Sequence, residues 1–228
     1  MIVGSVFALI PAAGSGVRFG ADRPKVAIDL VGLPIASHSI RTVDGTPGLL
    51  GGAVIAAADQ RAEAMRWIAE AGVDGDRWQV VDGGKSRHES VSNGFAVVPE
   101  SAEWVLVHDA ARPCLHPQDR DATLARAREC GAAILAHRIV DTVKRVDSDG
   151  LILETIDRAE LRGAETPQIA RRDRLAAAIA DAPVAGVTDE AGWLEAAGLP
   201  VAVVEARYPN PKVTLPDDLE VARALLGS

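Results

Sequence analysis

Aromatic residues are scarce: one tyrosine, three phenylalanines and four tryptophans make up 4% of the 228 residues. A core with so few rings has to be built from aliphatic side chains and alanine. The 48% hydrophobic fraction supplies them, and that composition suits a buried, largely parallel sheet covered by helices. Only two cysteines are present, Cys114 and Cys130. Their wide separation excludes a zinc knuckle and a disulfide framework. Both read as reduced thiols, with Cys130 in the core. Positive charge is in deficit, 24 Lys and Arg against 32 Asp and Glu, for a formal net charge of -8. That excludes a surface built to coat nucleic acid, so any cations that hold a nucleotide must be concentrated locally. Met1-Ile2-Val3-Gly4-Ser5 brings no basic residue ahead of the first apolar run, and the run is too short to span a bilayer. A soluble cytoplasmic protein with no membrane partner is expected. The five histidines (His38, His88, His108, His116, His137) form no HxH or HExxH pattern, which argues against a His-based metal site.

What the chain does have is a loop of small residues after a buried strand. Leu9-Ile10-Pro11-Ala12-Ala13-Gly14-Ser15-Gly16-Val17-Arg18-Phe19-Gly20 is followed by Pro24-Lys25. Glycines let backbone N–H groups approach a ligand closely, and such groups bind anions with help from nearby cations. Two better-known phosphate loops do not fit. The third glycine of a dinucleotide fingerprint would fall on Phe19, and the first glycine of a P-loop ending in Gly84-Lys85-Ser86 would fall on Gln79. Spacing alone leaves two readings open, a phosphate-holding loop or an ordinary βα turn with solvated charges.

Strands and helices then alternate. Strands are expected over Val3–Ile10, Gly51–Ala57, Trp78–Val81, Trp104–Val107, Ala132–Ala136 and Val201–Glu205. Helices are expected from Pro34, from an Asp59 cap to Ala71 before Gly72, and from the capping box Ser86-Arg87-His88-Glu89. Others run from Pro117 to Cys130 before Gly131, over Arg171–Ala182 and Asp189–Ala197, and from near Pro216 with Thr214 or Asp217 as cap. This is the rhythm of a Rossmann-like, doubly wound, mostly parallel α/β sheet. It is broken once, by an expected hairpin, Thr142–Val146 and Leu151–Ile156 around Asp147-Ser148-Asp149-Gly150. A hairpin alone is marginally stable, so it should pack on something, a second subunit being a reasonable candidate. One domain, 1–228, with a β-arm inserted at 138–166, is the expected organisation.

Ligands of open α/β sheets sit beyond the carboxyl ends of the strands. The Gly14–Lys25 loop, Asp82–Ser90 and His108–Arg112 lie there. An aspartate directly after a buried strand suits a divalent cation better than a core, so Asp109 is the candidate Mg²⁺ ligand, with a helix cap or a surface residue as the bland alternative. His108 reads as a hydrogen-bonded structural residue, Ser90 as a binding or capping hydroxyl without a nucleophile's partners, and Trp67 and Trp104 as core.

The loop Pro11–Arg18 with Pro24-Lys25 resembles the signature of the sugar nucleotidyltransferases. Asp82-Gly83-Gly84, Arg87–Val91, Val107–Pro113, Asp141-Thr142-Val143-Lys144, Asp157-Arg158, Thr166-Pro167-Gln168, Thr188–Ala191 and Lys212-Val213-Thr214 narrow the resemblance to the 2-C-methyl-D-erythritol 4-phosphate cytidylyltransferase family of the non-mevalonate isoprenoid pathway. The resemblance implies transfer of CMP from CTP to the alcohol phosphate with release of pyrophosphate. It places Pro11, Ala12, Ala13, Gly14, Ser15, Gly16, Arg18 and Lys25 at the triphosphate, and Gly84 and Ser90 at the base. Ala110 falls by the ribose and Asp109 at Mg²⁺. Arg112, Thr142, Arg158, Thr166 and Lys212 fall at the second substrate, with Arg18, Lys25 and Lys212 as the catalytic cations. It also implies a homodimer through the arm. A substrate phosphate is already nucleophilic near neutral pH, its second pKa being about 6, so no general base is required. Three departures stand out: Val26 and Ala27 follow the Pro-Lys, Lys85 replaces a common acidic residue, and Pro209-Asn210-Pro211 precedes Lys212 without a carboxylate. Two competitors are a ribitol 5-phosphate cytidylyltransferase and a catalytically silent nucleotide sensor. The sensor would be expected to lack Lys25, Asp109 or Lys212.

Overall fold

The computed structural model describes residues 4–13, 24–181 and 187–227. Its strands are β1 (Val6–Pro11), β2 (Asp29–Leu30), β3 (Leu33–Pro34), β4 (Leu49–Ala56), β5 (Trp78–Asp82), β6 (Trp104–Val107), β7 (Ala132–Arg138), β8 (Val143–Val146), β9 (Ile152–Ile156), β10 (Arg162–Arg171) and β11 (Ala202–Glu205). Its helices are α1 (Ile35–Asp44), α2 (Arg61–Ala71), α3 (Arg87–Phe95), α4 (Pro117–Cys130), α5 (Arg172–Asp181), α6 (Glu190–Ala196) and α7 (Asp218–Leu226).

Seven strands form one sheet in the order β11-β7-β10-β6-β1-β4-β5. All neighbours are parallel except β10, which runs antiparallel between β6 and β7. Side chains alternate across β1: Val6, Ala8 and Ile10 pack with α1, α2 and α4 through Ile40, Trp67 and Leu124, whereas Phe7 and Leu9 pack with α3, α5 and α6 through Val91, Leu175 and Trp193. A strand buried on both faces reads as one continuous apolar run. The expected doubly wound fold is the one observed.

Local signals mostly act where they stand. Gly72 and Gly131 end α2 and α4 with positive φ, a conformation that costs glycine nothing. Two signals do not act as expected. Asp59 lies in a single 3₁₀ turn, Ala58–Gln60, and Gln60 takes the cap position of α2. Asp217 makes no capping bond; Asp218 Oδ2 accepts the N–H groups of Thr214 and Leu215. Cys130 is half-buried at the end of α4, outside the core.

β10 is a strand that the sequence's periodicity does not announce. It carries Arg162, Glu165, Pro167 and Arg171, and its register with β7 shifts between Ala164 and Gln168. Because it runs against its neighbours, its first half arrives where the other strands end. The hairpin β8–β9 forms a separate two-stranded sheet. Its turn is closed by Asp147 Oδ1, which accepts the N–H groups of Asp149 and Leu151. Arg138, together with the stretch 162 to 166, belongs to strands of the main sheet.

Candidate active site

Three loops meet at the carboxyl ends of β1, β5 and β6, joined by backbone bonds. Ala12 N–H donates to Ile55 O (2.7 Å), Gly83 N–H to Ala56 O (2.7 Å) and Ala110 N–H to Pro11 O (3.2 Å). The Ala12 N–H is therefore committed to the sheet and does not face an anion. A Cβ on Gly83 would stand 2.6 Å from the Ala13 methyl carbon, so the first two loops touch only because position 83 has no side chain. Gly14, Ser15, Gly16 and Arg18 lie outside the described residues. Lys25 opens a 3₁₀ turn, Lys25–Ala27, directly after Pro24.

The second loop is held by hydroxyls. Ser86 Oγ accepts Glu89 N–H (3.0 Å), and Glu89 reaches back past the cap residue to the N–H of Lys85 (2.7 Å), one residue beyond the partner of a full capping box. Ser90 Oγ accepts Gly84 N–H (3.0 Å) and donates to Ser86 O (2.8 Å). Its hydroxyl fixes the path of the Gly84 backbone.

The third loop follows β6. His108 is fully buried. Its Nε2 lies 3.0 Å from Arg112 O and its Nδ1 3.0 Å from Thr166 Oγ1. A carbonyl only accepts, so Nε2 carries the proton and Nδ1 accepts from the threonine hydroxyl. Thr166 Oγ1 in turn accepts the N–H of Asp109 (3.1 Å). Burial pushes the His108 ring down to about 4, and it stays neutral, as this pattern requires. His108 is structural, as its sequence setting suggested, and Thr166 fixes Asp109 through the backbone.

Asp109, 7% exposed, is surrounded by cations. Lys212 Nζ stands 2.7 Å from Oδ2, Arg87 Nη2 3.4 Å from Oδ1, and Arg112 Nε 3.9 Å from Oδ2. Burial opposes its ionisation, but Arg87, Lys212 and Arg112 outweigh burial and hold the carboxyl at about 2. Val213 N–H donates to Ala111 O (2.8 Å), and the Val213 side chain packs with Leu30, Ile35 and Ala222. This pins the backbone next to Lys212. Arg112 Nη1 donates to Asn210 O (2.7 Å), and Asn210 Nδ2 donates to Glu165 Oε2 (2.9 Å) and Thr166 O (2.9 Å).

Sequence reasoning singled out Asp109, Ala110, Arg112, Thr166 and Lys212, and the structure gathers all five. It did not assign roles to Arg87, Glu165, Glu190 or Asn210, which complete the same network. Arg87 and Glu190 are 103 positions apart, and each looks like an ordinary first-turn helix residue. Thr142 and Arg158 lie exposed on the arm. Arg158 donates to Val140 O, and among the described residues neither it nor Thr142 bonds to the Asp109 cluster. No group of three or more His, Cys, Asp or Glu residues is arranged to hold a metal among the described residues, and none of their helices is long and apolar enough to cross a membrane.

The model of the family described as 2-C-methyl-D-erythritol 4-phosphate cytidylyltransferase matches residues 6–228. The chain belongs to that family. A relative of that description from Aeromonas hydrophila is 43% identical over 218 residues, covering 94% of this chain and 87% of the relative. Another, from Pseudomonas fluorescens, is 42% identical over 224 residues and covers 95% and 94%. The fold is similar to the crystal structure of 4-diphosphocytidyl-2C-methyl-D-erythritol synthase from Anaerococcus prevotii, with a TM-score of 0.85 at 26% identity over 99% of this chain and 97% of that one. It is also similar to the Francisella tularensis cytidylyltransferase structure, with a TM-score of 0.79 at 32% identity over 97% and 100%. Membership makes the chain an enzyme of the nucleotidyltransferase class.

Proposed function

We propose that this enzyme transfers CMP from CTP to 2-C-methyl-D-erythritol 4-phosphate and releases pyrophosphate, in the non-mevalonate route to isoprenoid precursors. The observation that carries the reading is the cluster of Lys212, Arg87 and Arg112 around Asp109 at the ends of the strands, in a chain of this family. An ionised carboxylate among cations suits phosphoryl chemistry, in which positioning and charge stabilisation do most of the work. The second substrate's phosphate attacks the α-phosphorus in line, and charge develops on the departing pyrophosphate. Arg18 and Lys25 stabilise that charge, with the backbone of Ala13–Gly16 around the triphosphate and Pro11 and Ala12 anchoring that loop to the sheet. Lys212, 42% exposed, is free to move from Asp109 to a phosphate. Ser90 and Gly84 shape the base pocket, and Ala110 lies by the ribose.

Asp109 fits Mg²⁺. The ion is typically held by one or two carboxylates together with substrate phosphates, and Asp109 is a carboxylate that stays ionised throughout the neutral range. When bound, the ion would neutralise phosphate charge. Arg112, Thr142 and Arg158 receive the alcohol phosphate, while Thr166 serves by fixing Asp109. The chain acts as one domain, 1–228, with the arm, residues 139–161 between β7 and β10, as the contact of a homodimer. Val140, Val146, Leu151, Ile152 and Leu153, all more than half exposed, give that arm an apolar surface to cover.

The test is a pyrophosphate-release assay with CTP and Mg²⁺, run with methylerythritol 4-phosphate and separately with ribitol 5-phosphate. Turnover with the first is expected. Turnover with ribitol 5-phosphate alone would move the assignment to that alcohol, and CTP binding without turnover would make the chain a sensor.

A further inference from the structure

Beyond the groups assigned to substrates or metal, polar side chains at the head of the sheet close into a ring. Gln168, two residues past Thr166 on β10, uses both ends of its amide on the start of α6. Nε2 donates to Asp189 Oδ2 (2.9 Å), and Oε1 accepts Ala191 N–H (2.9 Å). Between those two residues Glu190 turns inward, 2% exposed. It takes Arg87 in a fork, with Nη1 to Oε1 at 2.6 Å and Nη2 to Oε2 at 3.0 Å. The same Nη2 reaches Asp109 Oδ1, whose N–H returns to Thr166 on β10.

A buried ion pair is weak as a stability device, because desolvation offsets its attraction. The start of α6 is in any case held by Gln168. What the fork adds is geometry: two parallel bonds leave the guanidinium one orientation. Arg87 opens α3, whose cap Ser86 and first-turn residues Glu89 and Ser90 hold the backbone at Gly84 and Lys85. We propose that Glu190 is a positioning residue: by gripping Arg87 it fixes the separation between the Gly83–Ser86 loop and the carboxylate of Asp109, and so aligns CTP. The inference rests on the cytidylyltransferase reading above.

The experiment is steady-state kinetics of Glu190→Gln, which keeps the volume and removes the charge, with circular dichroism to verify folding. We expect kcat/KM for CTP to fall at least about tenfold, the scale of a lost charged hydrogen bond, while KM for the alcohol phosphate stays within about twofold. Glu190→Asp should recover part of the loss. Should Glu190→Gln fail to fold, the double variant R87M/E190Q is compared with R87M. If Glu190 acts through Arg87, both lie at least about tenfold below wild type and within about twofold of each other. A folded Glu190→Gln with near wild-type kcat/KM for CTP, a several-fold rise in KM for the alcohol phosphate, or a double variant well below R87M overturns the inference. A wild-type chain with no turnover overturns it together with the reading it rests on, whereas an active wild type with a neutral Glu190→Gln overturns this inference alone.

Discussion

Lys212 Nζ lies 2.7 Å from Asp109 Oδ2, joining the C-terminal segment to the end of β6 across 103 positions of sequence. The lysine is partly exposed and the aspartate buried, so the cation is the member of the pair that can leave. Substitution Lys212→Ala should lower kcat by about 10²–10³-fold, the scale for loss of one transition-state stabiliser. The melting temperature should change little. Rates retained within a few-fold would remove Lys212 from the catalytic cations.

The His108 ring gives a pH dependence of stability. Its folded-state pKa, pushed down to about 4 by burial, lies below the ordinary 6.5. Between those values the unfolded chain binds a proton that the folded chain does not, so stability is full above about pH 6.5 and falls as the pH drops toward 4. The loss over that window amounts to about 3 kcal/mol. Asp109, held at about 2, titrates below it. Urea unfolding of wild type and His108→Asn across this range should show the wild-type advantage shrinking by about that amount as the pH falls. A constant difference would mean that His108 is not neutral when folded.

Gly83 stands where the loops after β1 and β5 touch. Alanine there would press its methyl against Ala13 at 2.6 Å and Ser90 Oγ at 3.2 Å. The expected cost is about 1–3 kcal/mol of stability, with a rise in KM for CTP larger than any rise for the alcohol phosphate. Melting curves and two-substrate kinetics check both halves of the expectation. Unchanged CTP kinetics would separate this contact from the nucleotide.

Two substitutions on the arm test the proposed dimer contact and the proposed substrate role apart. Leu153→Asp, at a residue 60% exposed in a single copy, should convert a dimer to a monomer by sedimentation and lower activity with it. Arg158→Ala should leave the dimer intact and raise KM for the alcohol phosphate about tenfold or more, with a smaller effect on CTP. Equal effects on both substrates would argue against its assignment.

These expectations draw on a site that is half legible in the sequence. Asp109 announces itself because a charge follows the four apolar residues Trp104–Val107 with only His108 between, and the helix signals at Gly72, Gly131 and Ser86 are local chemistry acting locally. β10 hid because its alternation is interrupted by charge and by Thr166-Pro167; proline normally argues against a central strand, and here it falls where the register with β7 shifts. The Arg87–Glu190 fork hid for a different reason. Each residue has an adequate local role in the first turn of its own helix, and only the approach of α3 to α6 across the end of the sheet gives them a joint one. The burial of Glu165 and Asn210 likewise depends on a strand that periodicity did not reveal.

Arg138 and Arg162 are register partners in adjoining strands of the main sheet. The stretch 139–161 therefore leaves and re-enters the fold one ladder step apart, and the sheet has a natural seam there. Closing the seam with a short turn would convert β7 and β10 into a simple hairpin without shifting any other strand of the sheet. Arms of other lengths should be accommodated at that point, so Thr142 and Arg158, proposed for the second substrate, and the apolar face proposed for a subunit contact ride on an element that the sheet itself does not need.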